Sequence, residues 1–308
     1  MAGTIHIWQQ PTVSEVYLIA GWRQWADAGA LSSGLPQYLI KQLRAERIGE
    51  LRPDGFYLFQ IPGTHDLMRP VVRLNEGLPQ EMTTRRNDFY YAQQGDKGLV
   101  VFLGEEPHLD ADRYAAAFLE AARSLGVRRI NSLGGVYGEF PYDRERRVAC
   151  LFSLPKLKEE LDGYAVDFSN YHGGASIGSY ISWKSAESAQ EFVGLYAFVP
   201  MYDVSRFVPN SQSVHIETDY TAWLGILRRI NHMFSLELDL TDLERRSQEL
   251  IRALNAQIDE LAKSATAPGL HTYIEQLSDA FDEAAFPPLD DIWEEGLRDL
   301  FNDFDAEV

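Results

Sequence analysis

The chain has 308 residues, 45% hydrophobic and 24% charged, enough for one large α/β domain with an extension or for two domains with sizeable cores. Its formal net charge of −18 sets up a long-range field that repels nucleic acid and anionic lipid headgroups, so neither is expected as a primary partner. The single Cys150 excludes an intrachain disulfide and a multi-cysteine metal site; with no leader-like start and no apolar run of membrane-spanning length, a cytoplasmic protein is expected.

Glu15–Ala20 reads as the first strand and runs into a small-residue turn, Gly21–Gly29, with a helix over about Ala30–Ala45. This outline suggests a phosphate-cradling loop, yet neither GxGxxG nor GK[ST] is present. The alternative is a tight turn closed by Gly21 and Gly29, with Trp22 and Trp25 packed inside or at a subunit contact. Arg47–Gln60 and Val71–Leu74 read as strands set off by the turn signals Pro53-Asp54-Gly55 and Pro62-Gly63. Met82–Tyr91 has the mixed composition of an edge strand.

Gly98–Gly104 is an apolar, β-branched run, as in a strand buried on both faces. Asp110 can cap a helix whose apolar face carries Tyr114, Phe118, Ala121, Ala122 and Leu125 and which ends at Gly126. Arg129–Leu133 returns as a strand, so the stretch predicts a βαβ unit with parallel strands. Ligands collect at the carboxyl ends of such strands, here Gly104–Pro107 and Gly134–Pro141. The charged run Tyr142–Arg147 is either a solvated segment or, through Tyr142 and Arg144, part of a site.

Val148–Phe152 is apolar, Leu154–Leu161 a short helix and Tyr164–Asp167 a candidate strand. The glycine-rich Tyr171–Gly178 opens a helix to about Ala189. Its His172 and Ser176 could be read as base and nucleophile, without a G-x-S-x-G elbow, or the glycines as a close helix-to-sheet approach. Phe192–Val199 is the last apolar strand. Helical periodicity follows over Thr218–Met233 and over Leu240–Ala262, which opens on a capping-box pattern, Thr241–Glu244. The second stripe, with Leu250, Leu254 and Ile258, requires a partner: the sheet, another helix or a second subunit. After His271–Phe281 comes an amphipathic segment, Leu289–Phe304, with Trp293, Leu297 and Phe301 on one face. From residue 271 onward twelve acids face Arg298 alone. These signals divide the chain into a core over residues 1–210 and a helical region over 211–308.

Taken in order, Ala20-Gly21-Trp22 with Asp27-Ala28-Gly29, Arg69-Pro70, Gly104–Pro107, Leu133–Pro141, Tyr171–Gly178, and Gly194–Tyr196 through Pro200–Tyr202 form a recognisable series. It resembles the proteasome assembly chaperone 2 family, whose members are also labelled an ATP-grasp superfamily, over about residues 15 to 265. The resemblance implies a three-layer α/β/α fold with a mostly parallel central sheet, of the phosphorylase and hydrolase-like kind, with a helical C-terminal part and a tendency to self-associate. It also implies a role in assembling proteasome subunits. Some members end in a hydrophobic residue, a tyrosine and one more residue; here the corresponding stretch is Asp305-Ala306-Glu307-Val308, so docking into a proteasome ring through that ending is not expected.

The expected function is therefore that of a non-enzymatic homo-oligomer that binds other protein subunits, their surfaces basic. The alternative is an enzyme: a small-molecule hydrolase or phosphorylase, or an ATP-dependent carboxylate-amine ligase. Against the ligase, none of Lys41, Lys97, Lys156, Lys158, Lys184 and Lys263 lies in a glycine-rich loop. No catalytic residue, metal or cofactor is assigned. A candidate pocket is placed where strand ends converge: Asp27, Glu106, Glu139 and His172, with Arg69 and Arg144 as anion partners. The candidate interface comprises Leu250, Leu254, Ile258, Trp293, Leu297 and Phe301.

Overall fold

Strand composition sets the framework, and a computed structural model describes residues 3–59, 69–205, 207, 213–264 and 269–281. The strands are β1 (Ile5–Ile7), β2 (Glu15–Arg23), β3 (Glu46–Leu51), β4 (Val71–Asn75), β5 (Leu78–Thr83), β6 (Asp88–Gln94), β7 (Lys97–Glu105), β8 (Val127–Gly138), β9 (Val148–Phe152), β10 (Asp167–Phe168), β11 (Glu191–Tyr202) and β12 (Val214–His215). The helices are α1 (Gly34–Gln42), α2 (Ala111–Ser124), α3 (Lys158–Leu161), α4 (Ile177–Glu187), α5 (Tyr220–Phe234), α6 (Thr241–Ser264) and α7 (Leu270–Asp279).

The main sheet runs β1-β3-β6-β7-β2-β8-β11-β9-β10, with β12 paired to the end of β11. Its centre, β7-β2-β8-β11, is parallel throughout, and antiparallel strands close both sides. The β7-α2-β8 unit has the parallel strands expected of it, but β2 lies between them. Period-2 alternation along β2 sends Val16, Leu18, Ala20 and Trp22 into one buried cluster and Tyr17 and Ile19 into another. Helices α2 and α4 cover the first face, with Tyr114, Phe118, Ile177 and Ile181 buried. Helices α1, α5, α6 and α7 contribute to the second, giving three α/β/α layers.

Three local expectations change. The strand expected to reach Gln60 stops at Leu51, because Pro53-Asp54-Gly55 turns the chain and Gly55 takes φ +82°. Met82–Tyr91 is not one edge strand: Met82 belongs to the separate β4–β5 hairpin, whereas β6 lies inside the main sheet between β3 and β7 with Phe89 fully buried. Tyr164–Asp167 is mostly a turn, leaving only the two-residue β10.

The apolar stripe of α6 finds its partner within the chain. Leu243, Leu254 and Ile258 are buried in the same cluster as α5 and the strands, and Leu250 and Leu261 are packed against it. Thr241 is the first helical residue rather than the cap; its N–H donates to the Asp239 carboxylate at 3.0 Å. Trp293, Leu297 and Phe301 lie outside the described residues. Among the described residues no helix is long and apolar enough to cross a membrane.

Candidate functional site

After Ala20 pairs with Ser132, β2 diverges from β8, and the loop beyond it returns so that Asp27 bridges Gly135 and Gly135 N–H donates to Ala26 O at 2.9 Å. Two adjacent glycines on β8 make this possible. A Cβ on Gly134 would meet the ring of its neighbour Tyr196 at 2.2 Å, and one on Gly135 would meet Ala28 O at 2.0 Å. One glycine thus admits an aromatic ring and the next, on the opposite face, admits the loop backbone. The loop is closed by its own polar groups. Asp27 Oδ1 accepts from the N–H groups of Ser32 and Ser33, both at 2.9 Å, and Ser32 Oγ lies between the carbonyls of Ala26 at 2.7 Å and Leu133 at 2.6 Å.

The backbone donors that a phosphate would use in a cradling loop are therefore taken by Asp27. The same arrangement recurs at α4. Glu106 Oε1 accepts from Ile177 N–H at the first turn of that helix, and Ser176 caps it, its hydroxyl accepting from Ser179 N–H at 3.2 Å. Ser176 Oγ also lies 3.1 Å from the hydroxyls of both Ser179 and Tyr196. The nucleophile reading of Ser176 thus gives way to a capping hydroxyl in a cluster of hydroxyls, and His172 is exposed.

Burial raises the carboxyl pKa of Asp27 above its ordinary value, while the hydrogen bonds from Ser33 and Ser32 pull it the other way. Burial likewise raises Glu106, against backbone donation from Ile177 and Trp25. A raised carboxyl contributes stability that is fully present below its unfolded pKa and is lost as pH rises through the folded one. Glu106→Gln keeps an acceptor for Ile177 N–H but cannot ionise. It should flatten the fall in melting temperature between about pH 4 and about pH 7, where carboxyls leave their ordinary range. A melting curve as steep as that of the unaltered chain would contradict the assignment.

Two cavities open beside this loop. The first, about 600 Å³, is lined by Trp25, Asp27, Val136, Tyr137, Tyr171, Ser176, Ser179, Tyr196 and Phe198, among others. Trp25 is 66% and Tyr171 72% exposed, so aromatic surface faces solvent around it. The second, about 560 Å³, is lined by Arg23, Tyr57, Phe59, Arg69, Arg85 and Glu105, among others. Glu105 joins Arg23 at 3.4 Å and Arg85 at 2.9 Å. Gln24 lines both.

The expected pocket residues are thus dispersed. Asp27 lines the aromatic cavity, Glu106 lies beside it at α4, and Arg69 belongs to the arginine cavity. Glu139, Arg144 and His172 are exposed and line neither of these two cavities. Sequence reasoning missed Arg23, Arg85, Glu105, Tyr137 and Tyr196. The available signal was the pair Glu105-Glu106 at a strand end, where alternation sends the two carboxylates to different surroundings. Among the described residues, no group of His, Cys, Asp and Glu is placed to hold a metal ion.

A family model described as PAC2 family matches residues 21–258. The chain belongs to the PAC2 family. The match takes in the loop after β2, both glycine-rich stretches, α5 and most of α6. A PAC2 family protein of Streptomyces avermitilis is 23% identical, with a TM-score of 0.67 over 84% of this PAC2 chain and 99% of that one. A proteasome-assembly chaperone homologue of Mycobacterium tuberculosis is 20% identical, with a TM-score of 0.69 over 84% and 99%. Pyrococcus furiosus PbaB, an archaeal proteasome activator, is 20% identical, with a TM-score of 0.56 over 82% and 97%. These likenesses establish the fold. Comparison with curated proteins gives no match.

Proposed function

We propose that this PAC2 protein is a non-enzymatic, self-associating protein of the cytoplasm that binds subunits of a larger assembly and aids their association, proteasome subunits included. The observation that carries this reading is the division of labour at the strand ends. The half-buried carboxylates Asp27 and Glu106 are spent on internal backbone donors, whereas the groups presented to solvent are Trp25, Tyr137 and Tyr171. Exposed aromatic side chains around a concavity are the usual means of holding another protein. The PAC2 membership and the chaperone and activator among the structural neighbours support the same reading. The net charge of −18 favours partners with basic surfaces.

Light scattering at micromolar concentration is expected to give a multiple of the 35.0 kDa chain mass. Of the candidate contact residues, Leu254 and Ile258 are buried within the chain, so the contact between copies is assigned to partly buried Leu250 with Trp293, Leu297 and Phe301. Changing Trp293, Leu297 and Phe301 together to alanine should lower the mass. Purified proteasome subunits of the same organism, followed on native gels, should assemble faster when the protein is added. A monomeric mass together with an unchanged assembly rate would overturn the reading.

A further inference from the structure

The hydroxyl groups of the aromatic cavity are spent within the chain. Tyr137 Oη donates to Ile216 O at 3.2 Å, and Tyr171 Oη to Gly174 O at 3.3 Å. Tyr196 Oη stands 3.1 Å from Ser176 Oγ and 3.2 Å from Ser179 Oγ, so these three hydroxyls satisfy one another. A ring tethered by its hydroxyl keeps a fixed plane and offers a ligand its face. Trp25 stands at the same turn as Tyr171: its Cζ2 lies 3.4 Å from the position of a Cβ on Gly174, the residue whose carbonyl anchors Tyr171. Both side chains are exposed, and Val136, Leu151 and Phe198 extend the apolar lining.

Among the described residues that line this cavity, Asp27 alone carries a charge. The N–H groups of Ser32 and Ser33 occupy one of its oxygens and leave the charge in place. The neighbouring cation, Arg23, lines the other cavity and is paired with Glu105 at 3.4 Å. At the edge of the cavity the positive end of α4 is offset by Glu106, which accepts from its first turn. The faces of aromatic rings are themselves negative, through their quadrupole. Ring faces and a single carboxylate attract the same kind of ligand, a cation on an apolar stem. An anion would be repelled by both.

We propose that this cavity is a cage for a basic side chain, foremost an arginine, projecting from the surface of a partner protein. The guanidinium lies against the faces of Trp25 and Tyr171 with its charge toward Asp27, and the aliphatic stem with its apolar neighbours covers Val136 and Phe198. Arginine is favoured over lysine because its planar group stacks on rings and is the more weakly hydrated of the two. A cavity of about 600 Å³ also has room for the residues that flank it. The proposal rests on the protein-binding reading and names the chemistry by which the partner is held. The chain's charge of −18 draws basic surfaces from a distance, and the cage selects among them.

The test is fluorescence anisotropy of the full chain with a short dye-labelled peptide, its ends blocked, in which one arginine stands between two leucines. In one analogue citrulline replaces the arginine, keeping its shape without the charge, and in another lysine does. The citrulline analogue should bind about tenfold more weakly and the lysine analogue should fall between, with the parent weakening as salt rises. Trp25→Leu and Tyr171→Leu keep an apolar group but remove a ring face, and each should weaken the parent about threefold to tenfold while changing the citrulline analogue less. Asp27→Asn, which retains an acceptor for Ser32 and Ser33, should bring the parent close to the citrulline analogue. Trp25 and Tyr171 are exposed, so their variants stay informative if Asp27→Asn fails to fold.

Equal affinity for the arginine and citrulline peptides would overturn the cage, as would a parent affinity that neither Trp25→Leu nor Tyr171→Leu alters. The occupant has its own test. In the subunit assembly assay, saturating parent peptide should cancel the acceleration, and the citrulline analogue at the same concentration should leave most of it. Acceleration undiminished by the parent would remove the partner's arginine from the cage. Arginine selectivity with no effect of the protein on assembly upholds the cage and rejects the assembly role, whereas accelerated assembly without arginine selectivity does the opposite.

Discussion

Asp219→Ala is expected to cost about 3 to 5 kcal/mol of folding stability, the loss typical of breaking a buried ion pair from one side. Asp219 and Arg146 have side chains that are 0% and 1% exposed, joined at 2.8 Å through Arg146 Nε and 3.3 Å through Nη2. The Asp219 carboxylate also caps α5, accepting from Thr221 N–H at 3.1 Å and Ala222 N–H at 3.0 Å. Alanine would leave a guanidinium inside the protein with only carbonyls around it, those of Tyr142, Arg144 and Pro141. Arg146→Met should be costly for the mirror reason, whereas the double variant should lose far less than the two singles combined, since neither charge then remains unpaired. Urea unfolding of the four proteins measures the coupling. Strict additivity would mean that the pair does not act as a unit. The site would register the change too, because Asp219 N–H and Trp223 Nε1 both donate to Gly29 O, tying the loop after β2 to α5.

Much of the architecture was legible in the sequence because buried strands and amphipathic helices carry their own periodicities. Glu15–Ala20 and Gly98–Gly104 read correctly as strands, and the α2 stripe of Tyr114, Phe118, Ala121 and Ala122 is buried as read. The insertion of β2 between β7 and β8 was not legible, since strand order depends on which distant segments meet. The place of β6 was hidden for a different reason. The polar stretch Thr84–Asn87 separates it from β5, but the composition on both sides is similar.

At the site, Asp27 and Glu106 stood out as acids at strand ends, but their task depends on the helix N-terminus lying opposite each. For Glu106, whose donor Ile177 lies 71 residues away, that is tertiary information, whereas Asp27 meets donors only five and six residues further along the chain. Arg85 sits in the connection between β5 and β6, and nothing local distinguishes it from Arg86; its 2.9 Å bond to Glu105 and its place over the Tyr57 ring put it in the cavity. His172 attracted attention through its glycine neighbours, yet the fold leaves it exposed and gives the α4 cap to Ser176.

Gly135→Ala and Gly21→Ala should each cost about 3 kcal/mol, at the upper end of what overpacking usually exacts, because the obstacle is backbone and cannot change rotamer. A Cβ at Gly135 would lie 2.0 Å from Ala28 O, and one at Gly21 would lie 1.9 Å from Ser32 O. Both carbonyls belong to the loop after β2, so either methyl group must push that loop off the sheet. The displacement would stretch the Gly135 N–H bond to Ala26 O and draw Ser32 Oγ away from Leu133 O, leaving buried polar groups unpaired. Gly163→Ala is the matched control, since nothing lies within 4 Å of its Cβ position. It should be nearly neutral. Trp25 lies on the loop and should report the shift as a change in fluorescence in the native state of the Gly135 and Gly21 variants, with none in the Gly163 variant. If Gly135→Ala unfolds at the same urea concentration as Gly163→Ala, the loop does not lie against β8 as described, and the aromatic cavity built on that contact loses its wall.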